Sequence, residues 1–323
     1  MGETTNYDVV ALGELLIDFT DSGLSNQGNG LFEANPGGAP CNLLAMLKKF
    51  GHEVAFIGKV GDDIFGRKLK SILEELDIGT KGLCMDENIR TTLAFVENDA
   101  TGDRSFSFYR NPGADMMLKE DEVDLELIDN AKLFHFGTLS MTHENCRLAT
   151  KKAVEYAKDK GKIISFDPNL RMMLWDDFEE MRKQMEYGLS KCDVLKISDN
   201  EIQWFTGCED FDEGIKILKD KYDIKLILLS MGKDGSRAYY KGSDGKDIRI
   251  EEAAVLTKNT IDTTGAGDTF GGCCLHFVIE NGLDNFDEEK LSTMLKVANA
   301  AASIVTTRKG ALKVMPAVEE ILK

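Results

Sequence analysis

Residues 262–272 read Asp262-Thr263-Thr264-Gly265-Ala266-Gly267-Asp268-Thr269-Phe270-Gly271-Gly272 and set anion-binding groups beside a carboxylate. Phe270, Cys273, Cys274, Phe277 and Val278 follow at helical spacing on one apolar stripe, and Asn281-Gly282 supplies a stop. Gly265, Ala266 and Gly267 therefore open a helix, where backbone N–H groups have no intrahelical acceptor. Without side-chain bulk those groups can close on an anion, and the helix dipole adds to the attraction. Asp268 in the same turn would repel a phosphate, but it makes sense as a proton acceptor beside one. An anion hole with a carboxylate base is the minimum for moving a phosphoryl group onto a hydroxyl. Two other readings stay open for this stretch. Gly265-x-Gly267 resembles a dinucleotide fingerprint, although the strand that such a fingerprint needs is replaced by Asp262-Thr263-Thr264. Alternatively, the glycines serve close helix packing and Asp268 is a plain helix-start residue.

Other residues could share the chemistry. Pro36-Gly37-Gly38-Ala39-Pro40-Cys41-Asn42 is a second glycine-rich turn before a helix, with Asn42 able to donate and accept. Asp18 is a carboxylate in an otherwise apolar first strand, Gly13-Glu14-Leu15-Leu16-Ile17-Asp18-Phe19, where it could accept two polyol hydroxyls. Asp167-Pro168-Asn169-Leu170-Arg171 offers an acid, an amide and a guanidinium at a strand end. Gly61 and Gly66 have P-loop spacing, but Arg67 and Lys68 stand where Lys and Ser or Thr are required. His52, His135, His143 and His276 show no metal-ligand spacing and read as structural.

The elements that must position these groups alternate between strand and helix. Strands are expected at 53–60, 132–139, 162–166, 193–197 and 225–230. Helical stripes run through Leu43, Met46, Leu47 and Phe50 and through Phe65, Leu69, Ile72, Leu73 and Leu76. Such alternation predicts an α/β fold with a mostly parallel sheet, helices on both faces, and ligands beyond the carboxyl ends of the strands. Residues 91–98 and 104–110 break the pattern as two strands joined by Asp99-Ala100-Thr101-Gly102-Asp103, a hairpin that is either a lid or dimer contact or an edge of the main sheet.

The chain of 323 residues carries a formal net charge of −17, which argues against nucleic acid or a bilayer as the main partner. Its seven cysteines form no CxxC pair, so neither a zinc site nor a disulfide framework is expected. With no signal-peptide pattern and no apolar run near ~20 residues, a cytoplasmic setting is expected.

Taken together and in order, these segments resemble the ribokinase/PfkB carbohydrate kinase family, with greatest similarity to its fructokinases. The carriers are residues 13–19, 36–42, 58–66, 91–94, 108–115, 167–171 with Leu174-Trp175, and 262–272. The resemblance implies one three-layer α/β/α domain over 1–323, with a small β-sheet lid from parts of 14–36 and 91–112. It implies transfer of a phosphoryl group from ATP to D-fructose, giving fructose 6-phosphate, or to another small sugar or sugar acid such as ribose or 2-keto-3-deoxygluconate. A non-catalytic sugar-binding relative and a nucleotide-dependent oxidoreductase are the rival readings. By motif position, Asp268 is the base and Gly265, Ala266 and Gly267 the anion hole. Asp18, Gly37, Gly38, Asn42, Arg110 and Arg171 face the sugar or phosphate. Ser230, Gly232, Gly235, Asn299 and Gly310 face the nucleotide, with the region from Asn299 to Ala311 around the adenine. The resemblance also implies Mg²⁺ held through water by Glu201, a monovalent cation (K⁺) near Asp262 and Thr264, and a homodimer paired through the lids. One departure stands out: Ser198-Asp199-Asn200-Glu201 carries Ser198 where many relatives have Asn.

Overall fold

The computed structural model describes residues 6–98, 104–242 and 245–323; residues 99–103 of the expected hairpin loop lie outside them. The strands are β1 (Tyr7–Leu12), β2 (Leu16–Leu24), β3 (Gly30–Gly37), β4 (Val54–Gly61), β5 (Gly79–Asp86), β6 (Leu93–Asn98), β7 (Arg104–Tyr109), β8 (Ala131–Gly137), β9 (Ile163–Asp167), β10 (Val194–Ser198), β11 (Leu226–Ser230), β12 (Ser236–Lys241) and β13 (Asp247–Glu252). The helices are α1 (Ala39–Lys49), α2 (Ile64–Glu75), α3 (Leu125–Asp129), α4 (Glu144–Asp159), α5 (Phe178–Lys191), α6 (Asp199–Thr206), α7 (Phe211–Lys221), α8 (Ala266–Asn281), α9 (Glu288–Val305) and α10 (Val318–Ile321). The five strands expected for the main sheet all form, displaced by a residue or two.

Nine strands make one sheet in the order β13-β12-β11-β10-β9-β8-β1-β4-β5. Pairing is parallel from β11 through to β5, and β12 and β13 add an antiparallel edge. Side-chain alternation in the parallel strands feeds two cores. Val9 and Ala11 of β1 face α1, α2, α8 and α9, whereas Val10 and Leu12 face the side covered by α3 to α7. From β1 the chain first winds toward β5 and later resumes on the other side through β8. The switch point therefore lies between β1 and β8, where ligands of such sheets bind.

The hairpin is not an edge of this sheet. β6 and β7 pair with each other, and β6 runs parallel to β2, giving a separate sheet of order β3-β2-β6-β7. Residues 13–19 are correspondingly not one strand. The main sheet takes Tyr7–Leu12, the chain bends at Gly13, and Asp18 lies in β2 of the small sheet. The Gly61–Gly66 turn is closed to phosphate by the chain itself: Asp63 caps α2, accepting from the N–H groups of Phe65 and Gly66, and also takes the Thr91 N–H.

The glycines after Asp268 divide in purpose. A Cβ at Gly272 would lie 2.9 Å from the Leu43 carbonyl oxygen and 2.9 Å from Met46 Cβ, so α8 presses directly on α1. At Gly271 the nearest atom is the tip of Leu43, at 3.4 Å. The packing alternative thus holds for Gly272. Gly272→Ala is expected to destabilise by about 1–3 kcal/mol through overpacking. Gly271→Ala should be neutral or stabilising by up to about 1 kcal/mol, from helix propensity. Urea unfolding of both variants checks this; equal stabilities would refute the contact as the constraint.

Candidate active site

Gly265 caps α8 in the left-handed region at φ 76°, a conformation that costs a Cβ-bearing residue strain. The first-turn N–H groups emerge beside Asp268, and that of Ala266 makes a long bond of 3.3 Å to the Thr263 carbonyl. Asp268 Oδ2 accepts from Asn42 Nδ2 at 2.8 Å. The other end of that amide, Asn42 Oδ1, is buried without a hydrogen-bond donor. The orphaned acceptor points to a ligand donor such as a hydroxyl. Burial raises the Asp268 carboxyl above its ordinary value, opposed by the Asn42 bond and by the charges of Lys196 and Arg171. It is a stronger base than an exposed aspartate.

A polar cavity of about 300 Å³ opens here, at the ends of β1, β8, β9 and β10. Asp18, Gly38, Asn42, Arg171 and Asp268 line it together, and Glu14 and Phe108 join them. Gly37 sits just outside, its α-carbon against the Asp18 carboxylate. Asn169, at φ 44°, turns its side-chain oxygen to Arg171 Nη1 at 2.7 Å. Arg110 is elsewhere. Its buried guanidinium bonds Asp115 Oδ2, Thr142 Oγ1 and the Leu139 carbonyl, and it is absent from the lining. Arg110 thus fastens the segment after β7 to the turn after β8, an arrangement that a single strand-end arginine in the sequence does not disclose.

Lys196 was not foreseen. It is buried on β10, 3.0 Å from Asp167 Oδ2, and its Nζ lies 3.1 Å from where a Cβ on Gly267 would be. Burial opposes its charge, but Asp167, Glu201 and Asp268 hold its pKa above the ordinary lysine value. The Asp167 carboxyl is raised by burial, and Lys196 works against that rise. The sequence signal was one lysine inside an apolar strand, Val194-Leu195-Lys196-Ile197. Ser198 and Glu201 form a capping box on α6: the Ser198 N–H and hydroxyl both donate to Glu201 Oε2 at 2.8 Å, and Oε1 takes the Leu170 N–H. Serine at this position thus has its own structural use. Asp262, also buried, accepts from the N–H groups of Thr264 and Gly310 at 2.8 and 3.0 Å.

A second cavity, about 370 Å³, lies on the other side of the α8 start. Ser230, Gly232, Gly235 and Asn299 line it together, with Val255, Leu256, Phe270 and Ala302 as an apolar wall. Gly310 does not line it; its N–H is given to Asp262. Both cavities are lined by Thr263 and Gly267. They therefore meet at the positive end of α8.

The model of the pfkB family of carbohydrate kinases matches residues 6–318. Probable fructokinase-2 of Arabidopsis thaliana is 43% identical over 310 residues, covering 95% of this chain and 92% of that protein. The crystal structure of a fructokinase with bound ATP from Xylella fastidiosa has a TM-score of 0.87 at 29% identity, covering 98% of each chain. A double mutant of the fructokinase from Vibrio cholerae O395, bound to fructose, ADP and potassium ion, has a TM-score of 0.85 at 26% identity, covering 99% of this chain and 100% of that one.

Glu14 gives this site a measurable signature. Burial raises its carboxyl to about 7 from an ordinary 4.5, with the charges of Asp115 and Asp268 adding to the rise and the Ala39 N–H opposing it. A raised carboxyl favours the folded state fully below the unfolded value, and that contribution is lost as pH climbs through the folded one. Glu14→Gln keeps an oxygen for the Ala39 N–H and removes the charge. The variant should match wild type near pH 4.5 and exceed it above pH 7 by on the order of 2–3 kcal/mol. Denaturant unfolding at both pH values reads the difference; a pH-independent offset would contradict it.

Proposed function

The chain belongs to the pfkB family of carbohydrate kinases, and from that premise we propose that it transfers the γ-phosphoryl group of ATP to D-fructose, releasing ADP and fructose 6-phosphate. The observation that carries this reading is the meeting of a polar and a partly apolar cavity at Thr263 and Gly267, with Asp268 on the polar side. ATP takes the second cavity, its base against Val255, Leu256 and Phe270. The sugar takes the first, with Asp18 and Asn42 Oδ1 accepting its hydroxyls and Arg171 beside the transferring phosphate.

Asp268 accepts the proton as the sugar hydroxyl attacks phosphorus. The N–H groups at the start of α8 and the Lys196 ammonium face the charge growing on the phosphoryl oxygens. Lys196 is thus assigned to the anion hole with Gly265, Ala266 and Gly267. The small sheet, through Phe108, acts as a lid that keeps water from the reacting phosphate. Carboxylate oxygens suit Mg²⁺. Those of Glu201 already accept from Ser198 and Leu170, so Glu201 fits an ion held through water, with Asp167 on the neighbouring strand. Bound Mg²⁺ would neutralise phosphate charge. Asp262, a buried carboxylate in the loop feeding the anion hole, fits a monovalent cation; the Vibrio cholerae relative binds potassium ion. The exposed rings of Phe32 and Tyr109 flank Phe95, which stacks on Phe19, and this aromatic face of the small sheet is proposed to pair with a second copy.

A panel of sugars in a coupled ADP-release assay tests the substrate; fructose should give the largest kcat/KM, and preference for another sugar would overturn that assignment. Asp268→Asn should lower kcat by about 10²–10⁴-fold with little change in sugar affinity. Lys196→Met should lower kcat by about 10²-fold. Turnover near wild type in either variant sinks the corresponding role. Rates should be higher in potassium than in a large organic cation at matched ionic strength; equal rates would remove the cation. Light scattering at micromolar concentration should give the mass of two chains, and a monomer would remove the dimer.

A further inference from the structure

The sequence spacing of the histidines hides a cluster at the far end of α8. His52, in the turn between α1 and β4, and His276, on α8, are 224 residues apart, yet His52 Nε2 lies 2.8 Å from His276 Nδ1. Glu280 follows His276 by one helical turn, on the same face of α8. Ligand atoms of all three lie within 4.8 Å of one another. We propose that His52, His276 and Glu280 form a binding site for a divalent transition ion of the zinc type, separate from the kinase site.

Two features of the surroundings support the donor set. Asp8 Oδ2 stands 3.3 Å from His52 Nδ1 and is itself held by the Glu53 N–H at 3.0 Å, while Asp8 Oδ1 pairs with Lys132 at 2.8 Å. An ionised carboxylate only accepts, so Nδ1 of His52 carries the proton and Nε2 presents a lone pair. This carboxylate–histidine arrangement is the usual outer support of a metal-bound imidazole. His276 is fixed by stacking on Phe50, ring centroids 4.0 Å apart and 6° from parallel.

Without metal, the His276 Nδ1–H donates to His52 Nε2. In the metal-bound form the His276 proton resides on Nε2 instead, and the two lone pairs face one ion. The His276 proton moves from Nδ1 to Nε2 and is not released by this exchange. Tetrahedral zinc with nitrogen bonds of about 2.0–2.1 Å needs those nitrogens about 3.3 Å apart, a widening of about half an ångström. Two imidazoles and a carboxylate are a known zinc set, with water as fourth ligand. The site joins the amino-terminal ends of β1 and β4 to α8, and His276 is about 12 Å along the helix from Asp268. An ion there would clamp the helix that carries the catalytic base from its opposite end.

The test uses the full chain, stripped of metal by chelator and dialysis, without ATP or Mg²⁺, titrated with zinc chloride by calorimetry. Wild type should bind one zinc per chain at micromolar affinity, and its melting temperature should rise with zinc. His276→Ala should abolish both effects. Glu280→Gln, on an exposed residue that does not endanger the fold, should weaken binding by at least about tenfold, on the order of a lost support or ligand. Cobalt(II) should give the visible absorption of a tetrahedral ion in wild type and lose it in His276→Ala. Absence of zinc binding to wild type, or binding of unchanged strength in Glu280→Gln and a folded His276→Ala, would overturn the proposal.

Discussion

The contact of α8 with α1 is the constraint on which the catalytic geometry depends. Asn42 meets Asp268, and one turn further along both helices Met46 meets Gly272. The helices run parallel and touch at backbone distance, because Gly272 has no side chain to hold them apart. A larger residue would push α8 outward and stretch the bond that orients Asp268. The same contact brings the α8 N-terminus over the ends of β9 and β10, where Lys196 and Asp167 stand.

Charge is then arranged locally against the global trend. A chain of net charge −17 repels a nucleotide at long range. At the meeting point of the two cavities, however, the helix terminus, Lys196 and Arg171 present a local positive field. Glu14, Asp167 and Asp268 are all raised by burial in the same region. Their cost is a stability penalty near neutral pH, concentrated at the one cavity that Glu14 and Asp268 line and beside which Asp167 pairs with Lys196. Such concentration of shifted carboxyls in one cleft is typical of catalytic sites and is offset by the two large cores on either face of the main sheet.

The small sheet shows how one segment can serve two layers. β2 and β3 return the chain from the end of β1 to the glycine turn at α1, so Asp18, Gly37, Gly38 and Asn42 are strung along a single excursion. β6 and β7 join the excursion from a distant part of the chain, bringing Phe108 over the cavity. Arg110 contributes to this by tying the end of β7 to the turn after β8 rather than by reaching the cavity.

The sequence by itself determined the parallel α/β core, because apolar runs of strand length alternating with 3.6-periodic stripes leave few other ways to bury both. It also marked Gly265, Ala266, Gly267 and Asp268 as the opening of a helix, which is where the structure has them, and the proposed anion hole and base follow from that position. Residues brought together from distant segments were legible only where the family resemblance supplied them. Local pattern did not disclose that Asp18 belongs to a second sheet, that Arg110 is consumed by Asp115, that Gly310 serves Asp262, or that Lys196 reaches Gly267. Nor did it disclose that His52 and His276 touch. Each of these depends on strand order and helix packing, which set distances between residues tens to hundreds of positions apart, and no local spacing encodes such a distance.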